Sequence, residues 1–103
     1  HLAAGPQAYL LAMFRVAGVM RKADEGIDED ASWAMIADGV YVDGNATLEA
    51  AMPIFDKSAV VFIPVVTLSG EGQAPELLGA LYHVDALKAY NRALAATAAE
   101  EHS

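Results

Sequence analysis

The unbroken apolar run Val60-Val61-Phe62-Ile63-Pro64-Val65-Val66 limits what this chain can fold into more than any other feature. A short apolar run rich in β-branched residues reads as a strand buried on both faces. Pro64 has no N–H to give to a ladder, so the strand is expected to be locally unpaired on one edge or to carry a bulge. Ser69-Gly70-Glu71-Gly72 then reads as a loop tip, and Leu77–Tyr82 as a second strand. A loop this short makes the two strands antiparallel neighbours. From about Val84 the period becomes helical. Ala86, Leu87, Tyr90, Ala93, Leu94 and Thr97 share one face, with Asp85, Lys88 and Arg92 on the other. Strand, loop, strand and helix, with Asp85 at the second strand-to-helix junction, is a place where a small ligand can be held.

The rest of the chain reads as support for that unit or as an interface. Gly5-Pro6 opens a helix, since Pro is tolerated at the first helical position. Gln7 to about Met20 continues it, with apolar residues on nearly every face. Such a helix must be covered on all sides, either by this chain's own core or across a homodimer interface. Arg21-Lys22 suits a helix C-terminus. The acidic run Asp24–Asp30 offers no register for a calcium loop, which needs acids at its first, third and fifth positions and Gly at the sixth. It reads instead as a turn, with Asp28 or Asp30 as the N-cap of a short helix that Trp33 and Ile36 anchor and Gly39 stops. Val40-Tyr41-Val42 is a short strand and Asp43-Gly44-Asn45 a turn. Thr47 caps a helix through Leu48, Met52 and Phe55, in which Pro53 is expected to cause a kink or a break.

Composition narrows the function. With 14 acidic residues against 6 Lys and Arg, the chain has a net charge of -8 and no basic stripe to meet nucleic acid. It has no cysteine, which excludes disulfides and thiolate metal sites. No apolar run approaches the ~18 residues a membrane span needs. At 103 residues one small domain is expected. The hydrophobic content of 55% and mean hydropathy of +0.30 are high, which fits a generous core or a partner-covered surface. The chain opens His1-Leu2 without Met, as a piece of a longer protein with a tag remnant would.

From Val40 onward the order is strand, helix, strand, strand, helix. It carries Val42-Asp43-Gly44-Asn45-Ala46-Thr47-Leu48-Glu49-Ala50-Ala51-Met52, then Phe62-Ile63-Pro64-Val65-Val66, then Leu78-Gly79-Ala80-Leu81-Tyr82-His83-Val84-Asp85. This resembles a CBS domain, whose pattern has a Thr-Leu-x-Glu-Ala helix start, a Pro-Val-Val strand, a Gly-centred strand and an Asp opening the last helix. Phe14–Met20 resembles the lead-in of that family, with Gly18 where Asp is usual. Residues 26–39 then read as an inserted helix. The expected organisation is an N-terminal helical extension with the inserted helix over 1–39, a CBS domain over 40–99 and a frayed tail over 100–103. The fold class is α+β, with a small mixed sheet and helices packed on it. The closing helix, Leu87–Leu94, resembles the last CBS domain of bacterial chloride-channel-type transporters.

The resemblance implies regulation and not catalysis. Domains of this kind pair into Bateman modules, bind adenosine nucleotides such as AMP, ADP or ATP, and control an attached protein, here a membrane transporter or channel. It implies a cytoplasmic module, a homodimer through the helices and CBS pairing, no cofactor, and no nucleic-acid partner. Asp85 matches the position whose carboxylate meets the ribose hydroxyls. Ile63 and Pro64, with Val42, fall near the adenine-lining strands. Tyr82 stands where Thr or Ser often meets phosphate; it can fill part of the cleft or stack on a base. Three alternatives remain open. Asp85 can serve as a helix cap, the module can have lost its ligand and only dimerise, or the chain can be an unrelated small enzyme or ligand-binding α+β domain. His83 beside Asp85 has no third ligand or nucleophile near it and reads as a surface residue at a strand end. The loop Ser69–Gly72 lacks the P-loop spacing and reads as a turn.

Overall fold

The computed structural model describes residues 6–68, 72 and 74–101. Four helices and a four-stranded mixed sheet follow in the order α1 (Pro6–Ala12), β1 (Arg21–Lys22), α2 (Glu29–Ala37), β2 (Val42–Asp43), α3 (Leu48–Ser58), β3 (Phe62–Thr67), β4 (Glu76–Tyr82) and α4 (His83–Glu101). Single 3-10 turns lie at Val16–Gly18 and Ala23–Glu25. The fold is α+β, as the strand and helix patterns indicate.

The strand order is β1-β4-β3-β2. The β3–β4 pair is antiparallel, as expected, with Phe62 opposite Tyr82 and Ile63 opposite Leu81. β2 lies parallel to β3, with Val42 level with Val65. Pro64 is thus inside a central strand, one residue ahead of the point where β2 begins to pair. The irregularity expected beside it appears as a register shift between Val65 and Val66.

Strand alternation divides β3 between two faces. Ile63 and Val65 join Leu81, Val42, Leu48, Ala51, Phe55, Ala86 and Val16 in the main core, beneath α3 and α4. Pro64, Val66 and Ala80 are buried outside that cluster. α2 packs on β3 and contributes the fully buried Ser32, whose hydroxyl is satisfied by the Asp28 carbonyl at 2.8 Å. Asp28 is the N-cap, its Oδ1 accepting from Ala31 N–H at 3.0 Å. Gly39, at φ +84°, follows the helix end as expected. Trp33 is a correction: it stays 42% exposed, because the inward face of α2 is built from Ser32 with Ala31, Met35 and Ile36.

Four further expectations are revised. The N-terminal helix stops at Ala12 instead of reaching Met20. The backbone beyond it is committed to another segment. Val16 N–H donates to the Ala46 carbonyl at 2.8 Å, Ala17 N–H to Gly44 at 3.0 Å, and the Phe14 carbonyl accepts from Leu48 N–H at 3.0 Å. Continued helix would withdraw those groups. Arg21-Lys22 does not end a helix but forms the edge strand β1 against Ala80 and Gly79, so residues 21–22 ahead of Val40 join the sheet. Of the kink or break expected at Pro53, the break is absent, since α3 is continuous over Leu48–Ser58. Its cap residue Thr47 has extended backbone but makes no side-chain cap bond. Finally, α4 turns Ala86 into the core with Ala89, Tyr90 and Ala93 half-buried, and leaves Leu87 and Leu94 exposed. It remains helical to Glu101; the side chains from Thr97 onward lie outside the described set, as do residues 102–103 of the expected frayed tail. Residues 1–5 and Ser69–Glu71 of the expected loop tip likewise lie outside it.

Candidate functional site

Two separated pieces of sequence meet at one cleft. The lead-in segment supplies Phe14, Gly18 and Val19, and α4 supplies Asp85, Lys88, Ala89, Arg92, Ala93 and Ala96. The volume is about 550 Å³, within the roughly 300–1,000 Å³ common for small-ligand sites. The lead-in is held there by its bonds to Gly44, Ala46 and Leu48, reinforced by Arg15 Nη1, which donates to the Asn45 carbonyl at 2.8 Å. The Asp43-Gly44-Asn45 turn is closed by Asn45 N–H donating to Asp43 Oδ1 at 2.7 Å.

On α4 the spacing 85, 88, 92 places the three charged residues on one helix face. That face is a wall of the cleft. The small Ala89, Ala93 and Ala96 leave the space that longer side chains would fill.

Asp85 is the third residue of α4, since β4 runs into the helix at His83. Its Oδ2 accepts from Arg21 Nε at 2.8 Å. The same guanidinium lies 3.9 Å from the centre of the Tyr82 ring, a cation–π arrangement. The hydrogen bond to Asp85 raises the Arg21 pKa above its ordinary value; desolvation opposes it, and the charge of Asp85 and of its neighbours adds smaller increases. Tyr82 in turn packs tilted against Phe62, ring centres 5.3 Å apart. β1, β4 and α4 therefore contribute one residue each to a stack of Tyr82, Arg21 and Asp85.

Gly79 makes this possible. A Cβ there would sit 2.1 Å from the Arg21 carbonyl oxygen, so only glycine lets β1 approach β4 closely enough to aim Arg21 at Asp85.

The structure brings Asp85 and Tyr82 together around Arg21. Of the sequence-derived site residues, Asp85 lines the cleft; Tyr82 is half-buried outside its lining, and Ile63, Pro64 and Val42 are buried in the sheet interior. Their burial follows from β3 being covered on both faces. His83 is half-buried, not freely exposed. Its ring stacks on Phe55, centres 4.5 Å apart and 16° between planes, and the His83 backbone N–H donates to the Val61 carbonyl at 2.9 Å. Among the described residues no group of three or more His, Asp or Glu side chains is placed to hold a metal ion.

Sequence reasoning missed Phe14 as a cleft residue, and it offered Lys88 and Arg92 to a phosphate only as cations brought round by a partner, whereas they line a cleft of the single chain. The 85/88/92 spacing on one helix face was the available signal, but it reads first as a solvated face. No family model, curated protein or solved structure matches the chain. Among the described residues no helix is long and apolar enough to cross a membrane.

Proposed function

We propose that this chain is a non-catalytic regulatory module of the CBS type, sensing an adenosine nucleotide (AMP, ADP or ATP) and controlling a parent membrane transporter or channel from the cytoplasmic side. One observation carries the reading: Asp85, at the start of α4, lines the same cleft as Gly18 and Val19 of the lead-in segment. Two stretches that the resemblance singled out from opposite ends of the chain are thus neighbours. In this reading the ribose hydroxyls replace Arg21 as the partners of Asp85, and Phe14 and Val19 offer apolar contact to the base.

Titration calorimetry of the chain with AMP, ATP and adenosine tests it. Binding is expected, and Asp85→Ala should weaken it by about 1–3 kcal/mol, the scale for losing a charged hydrogen-bond partner. No heat with any of the three at millimolar concentration overturns the nucleotide reading.

A second reading has its own support. Arg21 already satisfies Asp85, and Ile63, Pro64 and Val42 are closed to a ligand in the single chain. The module would then serve only to dimerise its parent. Exposed Val84, Leu87 and Leu94 on α4, and Tyr9 and Met13 near the N-terminus, are the apolar surface available for that.

A further inference from the structure

We propose that Lys88 and Arg92 form the anion-binding end of the cleft and hold the phosphate groups of the nucleotide within a single chain. The proposal rests on the nucleotide reading above for the ligand's identity; it adds the residues that meet the phosphates and the direction in which those phosphates run.

Charge is the first argument. The chain carries 14 acids and 6 bases, so most of its surface repels anions. Lys88 and Arg92 nevertheless line one cleft together, and Arg21 is bonded to Asp85, which lines the same cleft. Asp85 is the only carboxylate among the cleft's lining residues. Lys88 and Arg92 sit four residues apart on α4, where like charges repel. The positions four residues before and after them are Val84 and Ala96, which offer no counter-charge. Asp85 is one turn from Lys88, but its Oδ2 is engaged by Arg21 at 2.8 Å. Among the described residues Arg21–Asp85 is the ion pair present, and neither Lys88 nor Arg92 has a partner. An anion between them removes the repulsion.

Geometry is the second argument. A helix rises ~1.5 Å per residue, so Lys88 lies ~4.5 Å and Arg92 ~10.5 Å beyond Asp85 along the α4 axis. That is the order in which a nucleotide presents its ribose hydroxyls and then its phosphates. Ala89 and Ala93 keep the path between the cations open, and on the facing segment Gly18 has no atom within 4 Å of where a Cβ would stand. The phosphates therefore run towards the C-terminal end of α4. The cations come from the chain's own helix, so no second copy is required to supply them.

The test is a nuclear magnetic resonance titration of the isotope-labelled chain with inorganic pyrophosphate, adenosine and ADP, repeated on the double variant Lys88→Gln/Arg92→Gln. Both side chains are exposed, and circular dichroism checks that the variant keeps its fold. Pyrophosphate is expected to move the amide signals of Gly18, Val19 and the 88–93 segment. ADP is expected to bind about tenfold or more tightly than adenosine, the scale of a charge-assisted contact. The double variant should lose both effects and keep its affinity for adenosine. A pyrophosphate response spread over the surface, or one unchanged in the variant, overturns the proposal. Equal binding of adenosine and ADP overturns it too while leaving the nucleoside reading intact. A localised pyrophosphate response without adenosine binding supports the anion site and removes the nucleotide reading.

Discussion

Arg21 Nε lies 2.8 Å from Asp85 Oδ2, with 64 residues of chain between the two. Its guanidinium is also 3.9 Å from the centre of the Tyr82 ring. This joins the edge strand to the first turn of the last helix, and it occupies the carboxylate that a ribose would use. Under the proposed function, Arg21 and a bound nucleoside would compete for this carboxylate.

Arg21→Ala should release Asp85 and tighten adenosine binding severalfold by calorimetry. Weaker binding would show that Arg21 shapes the site instead of competing for it. Arg21→Lys should behave more like the alanine variant than like wild type. An ammonium does not reproduce the planar fork that stacks on Tyr82 while bonding Asp85.

Gly79→Ala tests the close approach beneath that pair. The added methyl group would meet the Arg21 carbonyl oxygen, 2.1 Å from its carbon. Backbone cannot move aside as a flexible side chain can, so β1 must lift from β4. Urea unfolding should show a loss of about 1–3 kcal/mol, the usual scale for overpacking, and Asp85 should lose its partner. An unchanged midpoint would mean that β1 contributes nothing to the sheet.

At the end of α3, Ala59 has a left-handed backbone at φ +52°, and its N–H donates to the Phe55 carbonyl at 2.9 Å. Glycine occupies that conformation without the Cβ penalty. Ala59→Gly is expected to raise stability by about 0.5–1 kcal/mol, even though it enlarges the entropy of the unfolded chain. A drop in the thermal midpoint would mean that the unfolded-state term dominates.

The parts of the fold that were legible in sequence are those with strong local signals. Val60–Val66 announced a buried strand, Gly39 a helix stop, and the short β3–β4 connection an antiparallel pair; each is present. What was not legible depends on distant partners. Phe14–Gly18 carries enough apolar residues to read as helix, yet its backbone bonds to Gly44–Leu48. Arg21-Lys22 has no strand signature, and becomes a strand because Gly79 admits it. At the site, Asp85 and Tyr82 were legible as neighbours at a strand-to-helix junction. Arg21 was not, since nothing local to it points across the sheet. The cleft role of Lys88 and Arg92 depends on which helix face the lead-in segment approaches, and helical periodicity leaves that open.

Two apolar surfaces compete as the place where a second copy would dock. Near the N-terminus, Tyr9 is 69% and Met13 56% exposed; on α4, Val84, Leu87 and Leu94 are exposed along one side. The apolar residues on nearly every face of Gln7–Met20 point to the N-terminal segment. α1 is shorter than expected, packs on α3 and α4, and buries Leu10. The longer α4 offers the more continuous stripe, and α4 also carries the cleft. A dimer built on α4 would therefore couple ligand occupancy to pairing through a single helix. Sedimentation at tens of micromolar is expected to show a dimer that Leu87→Asp converts to monomer and Met13→Asp leaves intact. The reverse pattern would move the interface to the N-terminal segment, and a monomeric wild type would remove homodimerisation from the proposed function.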